Sequence, residues 1–327
     1  MSYQIAELEM LDCGHLACAG CGEALALRYV LKVLGSNAMM VIPACCATVV
    51  DGVWPHTSVK IPLLHTAFAT AAAAAAGIRA ALDVKGKEDT KVLAWAGDGG
   101  TFDIGIQALS SVAERNEDIL YICYDNEAYM NTGIQRSSAT PYGSWTTTTP
   151  VDRPKREPKK NIMEIMAAHR IPYCATACVA YPEDLTRKVE KALAIKGFKF
   201  MHLISPCPPG WKMPSELSIE LTRAAVQTRV FPIYEIEHGE LYTMNIIPEI
   251  HVPVQKYLSR QGRFSHLTSE DVRQVQKRVD SDWEVLLHKV ECSHALQHRR
   301  SKAKPLHPEE SAVPNAQGQT SSSTPTA

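Results

Sequence analysis

Two short, nearly continuous apolar runs, Lys91-Val-Leu-Ala-Trp-Ala96 and Ile119-Leu-Tyr-Ile-Cys-Tyr124, bracket a stretch in which Ile106, Leu109, Val112 and Ala113 recur at helical spacing. Runs without polar alternation read as strands covered on both faces, so the segment is a βαβ unit with parallel strands. The alternation continues along the chain. Further strands are expected over 38–42, 173–179 and 200–205, with helices over 23–34, 67–82, 184–196, 216–227 and 271–288. The pattern predicts an α/β fold, an open doubly wound and mostly parallel sheet. No internal repeat is present.

Gly97-Asp98-Gly99-Gly100 follows directly on the first run, which puts Asp98 at the carboxyl end of a parallel strand, the edge where open α/β sheets bind ligands. The glycines let backbone N–H groups approach a phosphate, and the helix that follows favours negative charge at its N-terminus. A carboxylate in that position would repel phosphate unless a cation bridges the two, and Mg²⁺ with its octahedral oxygen shell is suited to do so. The second strand ends in Asp125-Asn126-Glu127-Ala128-Tyr129-Met130-Asn131, where Asn126 offers an amide oxygen and Ala128 a backbone carbonyl. Other phosphate motifs fail here. No Gly-Lys-Ser/Thr ending completes a P-loop, and Phe102 stands where a dinucleotide fingerprint needs its third glycine.

The chain has ten cysteines. A single cysteine is most simply a small core hydrophobe, so spacing has to separate ligands from filler. Cys18-Ala-Gly-Cys21 is a C-x-x-C in a glycine-rich loop, compatible with zinc, iron–sulfur or dithiol redox chemistry. Cys46 and Cys207 each lie just beyond an expected strand, and loops after parallel strands gather on one edge of the sheet.

Taken together, Gly97-Asp-Gly-Gly-Thr-Phe-Asp-Ile-Gly105 and Tyr124-Asp-Asn-Glu-Ala-Tyr-Met-Asn-Thr-Gly-Ile-Gln135 resemble the thiamine-diphosphate signature of the β subunits of pyruvate:ferredoxin oxidoreductases. The similarity runs from about Gly14 to Leu267. It implies a thiamine-diphosphate-binding fold in which Asp98, Asn126 and the Ala128 carbonyl hold Mg²⁺ and Gly99 and Gly100 lie against the diphosphate. Asn131 would face the reacting carbon of the cofactor. Cys18, Cys21, Cys46 and Cys207 match the four ligands of the family's [4Fe–4S] cluster. Cys46 is preferred over Cys45 because the family places a small residue immediately before its cysteine. Zinc is the alternative occupant. The implied reaction is oxidative decarboxylation of pyruvate to acetyl-CoA with coenzyme A, electrons leaving through the cluster to ferredoxin. Aryl or branched-chain 2-oxoacids are alternative substrates, and a non-redox thiamine enzyme is the alternative activity. The carboxylate that activates the aminopyrimidine is expected on a partner chain, within an assembly of α, γ and δ-type subunits.

His65 is expected either as a core histidine or as a cofactor contact, and Arg136, Ser137 and Ser138 as contacts to phosphate or to the partner chain. A formal charge of -1 gives no field for nucleic acid or an anionic membrane. The alanine-rich stretch 61–82 is too weakly apolar to span a bilayer and reads as a buried helix. The first residues carry no basic start or apolar core of a secretory signal, so a cytoplasmic protein is expected. The basic, proline-containing run 153–160 reads as a solvated loop. One domain is expected over 1–300, with the N-terminal cysteine loop and a C-terminal extension. A disordered tail is expected over 301–327, where large apolar residues become scarce.

Overall fold

In chain order the elements are α1 (Gly22–Leu34), β1 (Ala38–Pro43), α2 (Cys46–Asp51), β2 (Leu63–Thr66), α3 (Ala71–Val84), β3 (Lys91–Gly97) and α4 (Ile106–Glu114). There follow β4 (Leu120–Asp125), α5 (Ile162–Ala168), β5 (Tyr173–Cys178), α6 (Pro182–Ala194), β6 (Lys199–Ile204), α7 (Pro208–Trp211) and α8 (Ser218–Gln227). The chain ends with β7 (Ile233–Glu237), β8 (Leu241–Ile246), α9 (Gln255–Leu258) and α10 (Ser269–Lys302). This computed structural model describes residues 4–302.

The eight strands form one sheet in the order β2-β1-β3-β4-β6-β5-β7-β8. β1 to β6 pair in parallel, whereas β7 and β8 are antiparallel. The doubly wound, mostly parallel α/β sheet is thus the observed fold. Residues that alternate along the strands separate into two cores. Ala94, Ala96, Tyr121 and Cys123 face α3, α4 and α5, while Leu93, Trp95, Ile122 and Tyr124 face α1 and α6. Every residue of β4, β5 and β6 is buried, which is why these runs lack polar alternation.

The chain winds outward from β1 to β2 on one side and from β3 to β4 on the other, so the β1/β3 boundary is the switch point of the sheet. Registers Gly97↔Tyr124 and Asp125↔Ile204 bring the carboxyl ends of β3, β4 and β6 level with one another. Cys46, Asp98, Asn126 and Cys207 consequently follow four consecutive strands along one edge.

Several expectations need correction. The helix expected over 67–82 begins only at Ala71, because Leu63–Thr66 is an edge strand beside β1 and a turn follows it. An edge strand exposed on one side carries little apolar signal. Helix α10 is longer than the expected 271–288 and runs through Lys302, past the boundary placed at residue 301. The rest of that tail lies outside the described residues. β7 and β8 add an antiparallel pair that was not anticipated. The run 153–160 is not a plain solvated loop: Lys155 is buried, and Lys159 reaches two buried carboxylates. Carboxylates inside the site, invisible in the local sequence, draw Lys159 inward, and the Thr140 and Pro158 carbonyls hold Lys155. Among the described residues no helix is long and apolar enough to cross a membrane.

Candidate cofactor site at the sheet edge

β3 ends at Gly97, and the chain passes through Asp98 into one π-helical turn, Gly99–Asp103, closed by the bond from Ile104 N to Gly99 O. Thr101 Oγ1 donates back to the Gly97 carbonyl at 2.8 Å and fixes the turn on the strand. Gly99 has no alternative residue here, since a Cβ would lie 2.3 Å from the Tyr129 ring. Tyr129 in turn donates to Asp103 Oδ2 at 3.0 Å, so the two blocks that carry the resemblance lock together.

Asp98, Asn126 and Ala128 are all buried and converge. The Asn126 side-chain amide lies 2.9 Å from the Ala128 carbonyl oxygen and 3.0 Å from Asp98 Oδ1. With its NH₂ turned inward, the amide donates to both oxygens. With its oxygen turned inward, the amide oxygen stands about 3 Å from each of two other hard oxygens, the edge length of an octahedron whose metal–oxygen bonds are those of Mg²⁺. The donor set and its spacing therefore fit Mg²⁺. Ser137 Oγ donates to the other Asp98 oxygen at 2.5 Å, leaving Oδ1 to face the group.

Charge around this group is unusually dense for a buried region. Burial and the nearby Asp125 push the Asp98 carboxyl well above the usual carboxylate range, a cost that a divalent cation would remove. Burial also acts to raise Asp125, but Lys159, at 2.5 Å, and the hydrogen-bonded His202, at 2.7 Å, outweigh it and hold the carboxyl at about 2. Glu127, in a left-handed conformation, pairs with Lys159 at 2.9 Å and with the fully buried Arg263 at 2.6 Å. The Arg263 guanidinium stacks 4.2 Å from the centre of the Trp211 ring, and Trp211 Nε1 donates to the Asn126 carbonyl at 2.9 Å.

The cysteine loops meet on the same edge. Gly22 N donates to Pro206 O at 3.0 Å, pinning the C-x-x-C loop to the segment that carries Cys207. A Cβ on Gly22 would collide with Pro206 at 2.2 Å. Cys46 opens α2, with its side chain in the electrostatic reach of Cys207 and Cys21. Cys45 instead turns its sulfur to the Pro43 carbonyl at 2.8 Å, which leaves Cys46 as the thiol facing the group. Cys207 is under the influence of Cys18. Burial, with Glu23 and Cys207 adding, pushes the Cys21 thiol up to about 12. Burial, with Cys18 and Glu23 adding, takes Cys207 to about 11. Metal-free, these thiols are protonated at neutral pH. Among the described residues no three His, Cys, Asp or Glu side chains are close enough to hold a single ion.

The other expected residues fall as follows. Gly100 faces Phe68, and Asn131 sits exposed just outside the buried block. His65 is not a core histidine. It lies on edge strand β2, largely exposed, with Nε2 3.1 Å from the buried Asp51 carboxylate and no hydrogen bond to the Asp98 group. Ser137 and Ser138 hold Asp98 and Asp103, while Arg136 reaches Glu157 at 3.4 Å. Arg263, Trp211, Lys159 and His202 were not foreseen. Arg263 sits more than a hundred residues from Glu127 in a segment with no motif, and only the unpaired acidic residues Asp125 and Glu127 hinted at buried cations.

Residues 45–203 match the thiamine pyrophosphate enzyme, C-terminal TPP binding domain family. The chain is 52% identical over 84% of its length to the ketoisovalerate oxidoreductase subunit VorB of Pyrococcus furiosus, covering 91% of that protein. It is 50% identical over 84% of its length to the pyruvate synthase subunit PorB of Methanocaldococcus jannaschii, covering 95% of it. The sheet superimposes on the solved 2-oxoglutarate:ferredoxin oxidoreductase from Magnetococcus marinus with a TM-score of 0.53 at 22% identity, over 68% of this chain and 82% of that one, a likeness of fold. The chain belongs to the 2-oxoacid:ferredoxin oxidoreductase family, among the subunits of the PorB and VorB type.

Proposed function

We propose that this chain is the β-type subunit that holds thiamine diphosphate through Mg²⁺ in an oxidoreductase acting on pyruvate, and passes electrons through a [4Fe–4S] cluster toward ferredoxin. The observation that carries the reading is the meeting of Asp98 Oδ1, the Asn126 amide and the Ala128 carbonyl at 2.9–3.0 Å beside a glycine turn. Asp98 and Asn126 bind the cation, Ser137 orients the Asp98 carboxylate, and Gly99 and Gly100 leave their N–H edge open to a diphosphate. The cofactor, when bound, supplies the carbanion chemistry that makes a 2-oxoacid lose CO₂. Cys18, Cys21, Cys46 and Cys207 are the proposed cluster ligands. One zinc ion would draw four sulfurs within about 4 Å of each other, and thiols on three loops without a single-ion site suit a larger cluster better.

Asn131 stands at the exposed rim, and no carboxylate of this chain is assigned to the aminopyrimidine. A partner α-type subunit is proposed to supply it, and coenzyme A to accept the acyl group. A branched-chain 2-oxoacid is the second reading, favoured by the 52% identity to ketoisovalerate subunits against 50% to a pyruvate synthase subunit. Anaerobic purification of the native complex, with iron and sulfide analysis and a 2-oxoacid panel, tests both. Pyruvate should give the highest kcat/KM with coenzyme A and ferredoxin. A preference for 2-oxoisovalerate would replace pyruvate, and zinc without iron would remove the redox assignment.

A further inference from the structure

A cavity of about 490 Å³ lies between α10 and the face of the sheet, within the size range of small-molecule sites. Its walls are mainly apolar: Phe231, Tyr257 and Leu258 on one side, Val279, Trp283 and Leu286 of α10 on the other. Its charged lining is unbalanced, cations outnumbering the carboxylates Glu127, Glu164 and Asp282 two to one. Five of those six cations are already engaged: Lys159 by Asp125 and Glu127, Lys289 by Glu164, Arg156 by Tyr142 and Asp271, Lys160 by Asp103 and Arg278 by Asp282. Arg229 differs. Its side chain lies over the Trp283 ring at 4.8 Å, and its buried Nε has no hydrogen-bond partner.

Among the described lining cations Arg229 alone has no anionic partner, and an anion that reached its terminal nitrogens from the cavity would supply one. One unsatisfied cation calls for a single negative charge rather than a phosphate dianion, and the aromatic and aliphatic walls call for an apolar body. We infer that this cavity is a binding site for an apolar monocarboxylate, its carboxylate on Arg229 and its hydrocarbon body between α10 and the sheet. The chain's own tail is a poor occupant, since Leu306 and Val313 are its only large apolar residues after Lys302. The cavity meets the cofactor edge through Glu127, Lys159 and His202, but the inference does not rest on the cofactor assignment.

Equilibrium dialysis of the full chain in its purified complex against radiolabelled octanoate tests the inference, with octan-1-ol as the uncharged competitor. Octanoate should bind saturably and quench the fluorescence of Trp283, and octan-1-ol should displace it poorly. Arg229→Gln should weaken binding about tenfold or more, the loss expected for one charged hydrogen bond. Leu286→Trp should abolish binding by filling the cavity. Absence of saturable binding to the unmodified protein, equal competition by octan-1-ol, or unchanged affinity in Arg229→Gln would each overturn the site. The comparison of octanoate with octan-1-ol needs no variant, so it decides the matter even where Leu286→Trp fails to fold.

Discussion

The oxygen-ligand group and the thiol group sit on the same edge of one sheet, yet they are built differently. Asp98, Asn126 and Ala128 come from two neighbouring strand ends, all of them buried, and hydrogen bonds from Ser137 and Trp211 orient them before any cation arrives. The four cysteines come from three loops spread from Cys18 to Cys207, and Cys18 is exposed. Their loops are pinned by the backbone, as Gly22 to Pro206 shows, and backbone N–H groups of Glu23, Ala24 and Gly210 bear on the Cys21 and Cys207 sulfurs. A hard-ion site can be preorganised by ordinary polar contacts. Thiolate ligation requires a metal to displace thiol protons, so a thiol site depends on its metal in a way an oxygen site does not.

The largest expected effect lies on the thiol side. On the proposed cluster assignment, Cys46→Ser should leave the anaerobically purified protein without iron, while Cys45→Ser, whose sulfur faces the Pro43 carbonyl, should retain iron and sulfide near the unmodified level. Equal loss from both variants would erase the distinction drawn between these neighbours.

Next in size is Arg263→Met, which strips one of the two cationic partners from buried Glu127, leaving Lys159, and takes away the cation stacked on Trp211. Breaking a buried pair from one side costs up to about 3–5 kcal/mol, and because Lys159 still pairs with Glu127 the loss in a chemical denaturation curve should fall at or below the low end of that range. Because Trp211 lies in the Cys207 loop and donates to Asn126, this variant should disturb both groups at once. An effect confined to one of them would show that the two are less coupled than their shared arginine suggests.

Asp98→Asn keeps the shape of the oxygen group and removes its charge. The affinity for thiamine diphosphate in the presence of Mg²⁺, measured by calorimetry on the complex, should fall by roughly a hundredfold. Stability without the cation should hold or rise, because the cost of burying a carboxylate there, with Asp125 close by, disappears.

The difference between the two groups also decides what could be read from the sequence. The oxygen group follows two strands that carry a plain apolar signature, so register and ligands fall into place together. Cys46 and Cys207 were placed by the same logic, as residues just past strands. Beyond these strand ends the sequence is silent. Strand β2 hides at an edge, where one exposed face removes the apolar run. Arg263 and Lys159 are called in by buried carboxylates far away in the chain, and nothing in their own neighbourhoods marks them. His65 reads from the sequence as either a core histidine or a cofactor contact; its exposed place on edge strand β2 beside Asp51 removes the core reading, and the cofactor contact stays a proposal.

The smallest effect concerns the solvent-facing support of the thiol loop. Glu9 precedes that loop and ties the N-terminal segment to α1, with Arg28 at 2.6 Å and Lys32 at 2.5 Å. Hydrogen bonds from Arg28 first and Lys32 second lower its carboxyl from 4.5 to about 2. A carboxylate depressed in the folded state contributes stability above its unfolded value, and that contribution fades as pH falls from 4.5 toward 2. Glu9 is more than a third exposed, so solvent screening should reduce the contribution to below about 1 kcal/mol. Glu9→Gln should therefore lower stability slightly at pH 7, with the gap to the unmodified chain closing through that acid window and shrinking in high salt. A gap that persists at the acid end, or that salt leaves untouched, would mean that the thiol loop is anchored by buried contacts after all, and would draw it closer in kind to the oxygen group.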